Sequence, residues 1–172
     1  MSKDYPKPSV TVDTIIFALH NDEVKVLLIK RKYPPFAGKW AIPGGFVEVN
    51  EALSVAASRE LEEETGLKNV SLKQFHTFGD PGRDPRGHTV TITYHTFLAE
   101  IPHNLVGADD ADEASWFSIN TLPELAFDHD IVLDAAIKDL YNRVETTLQM
   151  TDIFVGELKL SQLRNIKHYR EE

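Results

Sequence analysis

Cysteine is absent from the 172 residues, which removes disulfides, thiolate metal sites and a cysteine nucleophile together and agrees with a reducing compartment. A basic excess is missing too. Eighteen Lys and Arg against 27 Asp and Glu leave a net charge of −9, so no broad basic face is available to neutralise phosphates and nucleic acid is not an expected partner. No apolar run approaches the roughly 20 residues that cross a bilayer. The start, MSKDYPKPSV, lacks the apolar stretch of a signal peptide, so no membrane association and a cytoplasmic location are expected. What the chain does have is 42% hydrophobic residues, enough at this length to bury the core of one domain. Residues 1–146 read as that domain and 147–172 as a C-terminal tail, with a short helix near 160–169 packed on the domain or on a partner chain.

Ser9 to Leu19 and Val24 to Arg31 are rich in Val, Ile and Leu around a turn-like His20-Asn21-Asp22, the pattern of a β-hairpin. Pro34-Pro35 makes Arg31 to Lys39 a loop, and Trp40 to Ile42 a short strand that ends at Pro43-Gly44-Gly45. Asn50 is placed to cap a helix from about Glu51 to Thr65 that stops at Gly66. Further strands are expected at Val70 to Phe78, Thr89 to Ala99 and Ala114 to Ile119, with an acidic loop from Val106 to Glu113. Ile131 to Val144 has the spacing of an amphipathic helix with Leu133, Ala136, Ile137 and Leu140 inward. Strands and helices mixed in this order imply an α/β architecture.

The central helix breaks the usual rule for charged residues. At about 100° per residue, Leu53, Ala56, Ala57 and Leu61 share one side, and Glu60 and Glu64 fall on that side with them, Glu63 on its flank and Glu62 opposite. Carboxylates are seldom taken out of water unpaired, and several within one turn repel each other. Arg59 could serve one of them. A divalent cation with hard oxygen ligands satisfies several at once, which makes Mg²⁺, with Mn²⁺ as the alternative, the expected cofactor.

The string Gly45, five residues, Glu51, seven residues, Arg59-Glu60-Leu61-Glu62-Glu63-Glu64-Thr65-Gly66-Leu67 resembles the complete signature of the Nudix hydrolases. The resemblance implies the Nudix fold, a mixed β-sheet sandwiched between helices, and metal-dependent attack of water on a phosphorus of a nucleoside diphosphate derivative. By the same resemblance Glu60, Glu63, Glu64 and the carbonyl of Gly44 are metal ligands, while Arg59 and Glu51 orient them. The water's proton needs a carboxylate, which the resemblance allows to be a box glutamate or a loop residue. Glu113 is the loop candidate, with Asp109, Asp110 and Asp112 behind it.

Residues outside the box must choose the substrate. Arg83 and Arg86, with Asp84 between them, offer guanidinium groups suited to phosphate or ribose, the competing use being a local Asp84 to Arg86 ion pair on a surface turn. Trp40 and Phe46 could stack on a base, with core packing as the other use of both and the favoured one for Trp40. His129 precedes or begins a helix and could simply cap it. The segments Pro34 to Trp40, Gly82 to His88 and Ala126 to His129 are similar to the branch of the family that acts on ADP-ribose, which implies AMP and ribose 5-phosphate as products and a homodimer. Other members of that branch join a winged-helix domain and sense ADP-ribose without hydrolysing it. The tail from Phe154 to Arg164 resembles the start of such an extension, after which eight residues remain.

Overall fold

The computed structural model describes residues 5–102 and 111–151 of the chain, with side chains for 5–102 and 113–146. Strands β1 (Ser9–His20) and β2 (Glu23–Arg31) form the expected hairpin. Its two turn residues, Asn21 and Asp22, both adopt positive φ, 50° and 61°. Asn and Asp tolerate that conformation better than most residues, and it matches the twist of the flanking strands. Short strands β3 (Trp40–Ala41) and β4 (Gly44–Phe46) follow, then helix α1 (Leu53–Thr65), strands β5 (Lys73–Phe78), β6 (Thr89–Leu98) and β7 (Ala111–Ser118), and helix α2 (His129–Thr151).

The strands make one mixed sheet. Its main path is β3, β2, β1, β6, β5, with β4 pairing β1 and β7 pairing β2. β1 and β6 run parallel from Ser9↔Thr89 to Ala18↔Leu98, so β1 lies in the middle and is buried on both faces, as a central strand must be. Its side chains alternate. Ile15 and Phe17 meet Val132, Leu133, Ala136 and Ile137 of α2 on one face. Val12 meets Ala56 and Ala57 of α1 on the other, and Ile16 packs there with Leu61. The α/β sandwich expected from the sequence is therefore the observed one, and each of the buried Val, Ile, Leu and Phe side chains named contributes about 1.5–3 kcal/mol, the alanines less.

Four elements depart from the sequence reading by two residues or more. Helix α1 begins at Leu53 rather than near Glu51, with Ala52 as the cap residue and no side-chain cap bond. Asn50 does not cap it, because it lies in the left-handed region at φ 67°. Glu51 instead closes a turn, its carboxylate accepting the backbone N–H of Glu48 at 2.9 Å. β7 starts at Ala111, so Glu113 sits on a strand opposite Lys30 rather than in a loop. β5 starts at Lys73, although Val70 and Leu72 still pack towards α1. Finally α2 extends from His129 to Thr151, which puts the expected domain boundary at 146 inside a helix. The expected helix near 160–169, the tail resemblance from Phe154 to Arg164, and Asp109 and Asp110 lie outside the described residues.

Candidate active site

One end of α1, strand β4, the loop after β5 and the start of α2 surround a cleft of about 660 Å³. Its acidic wall comes from α1. Gly66, at φ 75°, ends that helix in the left-handed conformation that glycine adopts without strain, and its N–H bonds the Glu62 carbonyl at 2.8 Å. Glu62 faces solvent and pairs with Lys68 at 2.7 Å. Glu60, Glu63 and Glu64 all line the cleft.

Glu64 is buried with Leu61 and Thr65 on the inner face. Its Oε2 accepts the backbone N–H of Gly44 at 2.7 Å. Burial pushes its carboxyl up to about 8, the charges of Glu60 and Asp13 adding to the effect and the Gly44 bond opposing it. Glu60 is also pushed up, first by burial, against the opposing pull of Arg59. Arg59 ties the group together. It grips Glu51 through Nε at 2.8 Å and Nη2 at 2.9 Å, and it donates to Glu60 at 2.8 Å, to Glu63 at 3.0 Å and to the Phe46 carbonyl at 3.1 Å. The bonds from Arg59, with the Glu48 N–H, hold Glu51 down at about 2, and Glu51 in turn raises Arg59 further above its ordinary range.

Among the described residues no three His, Asp or Glu side chains converge as a ready cage for a metal ion, since Arg59 bridges Glu60 and Glu63. The donor set nevertheless fits a hard divalent cation: three carboxylates on one helix turn, with Gly44 and Gly45 beside them. A Cβ on Gly45 would stand 2.5 Å from the Glu60 carboxylate, so the backbone approaches these oxygens only because no side chain intervenes.

The opposite wall is aromatic and basic. The Arg86 guanidinium lies 4.9 Å from the Phe46 ring centroid and 5.2 Å from that of Phe127, and Arg31 lies 4.8 Å from Phe127. Phe127 holds a positive φ of 56° and meets Phe36 edge-on at 4.9 Å. Arg86 also bonds the Asp84 carboxylate at 2.8 Å. Burial would raise Asp84, but the bonds from Arg86 outweigh it and leave the carboxyl low. The local ion pair foreseen between these two residues thus exists, yet it lines the cleft. Arg83, almost fully buried, makes a two-point contact with Asp128 at 2.9 and 2.7 Å.

Two residues singled out in the sequence lie elsewhere. Trp40 packs edge-on against Phe117 at 4.6 Å in the core and does not line the cleft. Glu113 is exposed, accepts the Ser115 hydroxyl at 3.2 Å and is likewise not part of the lining. His129, in contrast, does more than cap. It is buried at the start of α2, and its Nδ1 accepts the Ile42 backbone N–H at 2.9 Å. Burial holds the imidazole down at about 4. Sequence reasoning missed Asp13 and Arg31, and it took in Phe127 and Asp128 only as part of the segment Ala126 to His129, with no role of their own. An acid inside the strand-forming run Val10 to Leu19, whose other polar residues are two threonines, was the available signal for Asp13. It is buried, accepts the Thr91 hydroxyl at 2.6 Å, and is pushed up to about 6 by burial.

The NUDIX domain family model matches residues 10–138, and the chain belongs to the Nudix family, as a Nudix pyrophosphohydrolase. It is 45% identical over 129 residues to the ADP-ribose pyrophosphatase of Methanocaldococcus jannaschii, covering 75% of this chain and 73% of that one. It is 32% identical to the ADPR responsive transcriptional repressor NtrR of Acinetobacter baylyi, over 95% of this chain and 66% of that protein. Among solved structures, the NUDIX domain of Shewanella oneidensis NrtR complexed with ADP ribose superposes with a TM-score of 0.74 at 30% identity, covering 81% of this chain and 93% of that one. Nudix hydrolases as a family use divalent metal ions.

Proposed function

We propose that the chain hydrolyses ADP-ribose to AMP and ribose 5-phosphate with Mg²⁺ or Mn²⁺ held by Glu60, Glu63, Glu64 and the Gly44 carbonyl. The observation that carries this reading is the buried Glu64, a carboxylate drawn out of water beside Glu60 in a cleft that a nucleotide can enter. When bound, the cation supplies charge screening on the pyrophosphate and acidifies water. The rest falls to the protein. Arg59 and Glu51 fix the direction of the acidic side chains, and the Arg86 guanidinium, flanked by Phe46 and Phe127, is set to meet phosphate charge. Water adds to one phosphorus, the bridging P–O bond breaks, and the water's proton passes to a carboxylate. Glu113 is not among the residues that line the cleft, so a box glutamate is the better acceptor.

A second reading, an ADP-ribose-responsive regulator, is favoured by the similarity over 95% of this chain to such a repressor. Product analysis separates the two. With ADP-ribose and excess Mg²⁺ or Mn²⁺, AMP and ribose 5-phosphate should accumulate in equal amounts. Tight binding of ADP-ribose without turnover would instead select the regulator, and faster cleavage of another nucleoside diphosphate derivative would overturn the choice of substrate.

A further inference from the structure

We propose that Asp13 and His129 form a sugar-hydroxyl subsite at the floor of the cleft, reading the group attached to the far side of the pyrophosphate; this rests on the ADP-ribose reading above. Both side chains are more than nine-tenths buried and both line the cleft. Asp13 is locked by Thr91, whose hydroxyl occupies Oδ2 at 2.6 Å. His129 is locked by Ile42, whose N–H occupies Nδ1 at 2.9 Å, so in the neutral ring the proton sits on Nε2.

The remaining atoms face each other. Asp13 Oδ1 and His129 Nε2 stand 4.0 Å apart, too far for a hydrogen bond. An oxygen about 2.8 Å from each would close the triangle. That oxygen must accept from Nε2–H and donate to a carboxylate. A hydroxyl does both; an ionised phosphate oxygen has no proton to give and is repelled by Asp13. Asp13 pairs across the strands with Gly44, whose N–H holds Glu64, and the His129 ring lies 5.3 Å from that of Phe127. The pair therefore sits between the acidic and the aromatic walls, where a sugar adjoining the pyrophosphate would lie. ADP and ADP-ribose share the adenosine sugar and differ in the other one.

Calorimetric titration with ADP-ribose and with ADP, in EDTA so that nothing is hydrolysed, tests the assignment. The two ligands share adenosine and both phosphates and differ in the terminal sugar. Asp13→Asn would keep Thr91's partner and turn a donor towards the hydroxyl. In His129→Asn the amide oxygen takes the place of Nδ1 for Ile42, while Nε2–H is lost. Each variant should weaken ADP-ribose at least about tenfold and ADP less than about twofold, which a merely structural defect would not do. Equal weakening of both ligands, no weakening of either, or a wild-type protein that binds ADP as well as ADP-ribose would overturn the subsite. If Asp13→Asn does not fold, His129→Asn carries the comparison. A wild-type protein that prefers ADP-ribose but releases no AMP would overturn hydrolysis and leave the subsite standing.

Discussion

Gly45 lies so close to Glu60 that a single added carbon would stand 2.5 Å from the carboxylate. Gly45 is fixed in the β4 pairing opposite Val12, so the side chain is the part that can move. In Gly45→Ala the Glu60 carboxylate should swing aside and lose its bond to Arg59. The concentration of divalent cation needed for half-maximal rate is expected to rise by about 10- to 100-fold, while the thermal midpoint changes little. An unaltered metal dependence would remove Glu60 from the cation site.

Glu64 combines an expected metal role with a cost in stability. Glu64→Gln should lower turnover at least about a hundredfold, measured with saturating cation. In EDTA the same substitution should stabilise the protein. The Glu64 carboxyl lies near 8 in the fold against an ordinary 4.5, so its favourable, protonated state is complete below 4.5 and is lost as pH rises through 8. Glutamine keeps an acceptor for the Gly44 N–H and carries no charge at any pH. The midpoint of the variant should therefore gain on wild type steadily from pH 5 to pH 8.5, and parallel curves would show that Glu64 is not strained by burial.

Much of this was legible because it is local. The face shared by Ala57, Leu61 and Glu64 follows from helical periodicity, and the β1–β2 turn from Asn21-Asp22. What escaped depends on chain segments far apart. Thr91 reaches Asp13 only because β1 and β6 pair in parallel across 78 residues, and His129 reaches Ile42 across 87. Asn50 misled for a different reason: it has a capping side chain, but Glu51 and Arg59 hold the preceding turn in a shape where that side chain is not used. Trp40 could have belonged to core or cleft by composition alone, and its contact with Phe117 decided for the core.

The two arginines of the loop after β5 should behave differently. Arg83 is only 6% exposed and its partner Asp128 16%, so Arg83→Met leaves a largely buried carboxylate without its ion pair and should cost about 3–5 kcal/mol in denaturant unfolding. Adding Asp128→Leu should return part of that loss. Arg86, 39% exposed between two aromatic rings, faces the open cleft. Arg86→Ala should raise KM for ADP-ribose about tenfold with a smaller change in kcat. If Arg83→Met shifts KM with no loss of stability, the roles of the two residues are reversed.

His129 should make the cation-free protein sensitive to mild acid. Burial holds its imidazole near 4 against an ordinary 6.5, so the stability tied to its neutral form is fully present above 6.5 and is lost as pH falls through 4. Arg83 and Arg31 push in the same direction as burial, while Asp128 and Asp130 favour the charged ring. Asp13 masks the effect in wild type, because its own carboxyl, near 6 rather than 3.8, gains stability over much of the same window as pH falls. Comparison with His129→Asn isolates the imidazole. Thermal midpoints of the two proteins, measured between pH 7 and pH 4, should converge or cross, because the unfolded wild-type chain takes up a proton at this position that its folded state refuses and the variant has no such group. A constant difference across that range would mean that the ring stays solvated enough to titrate as it does in the unfolded chain.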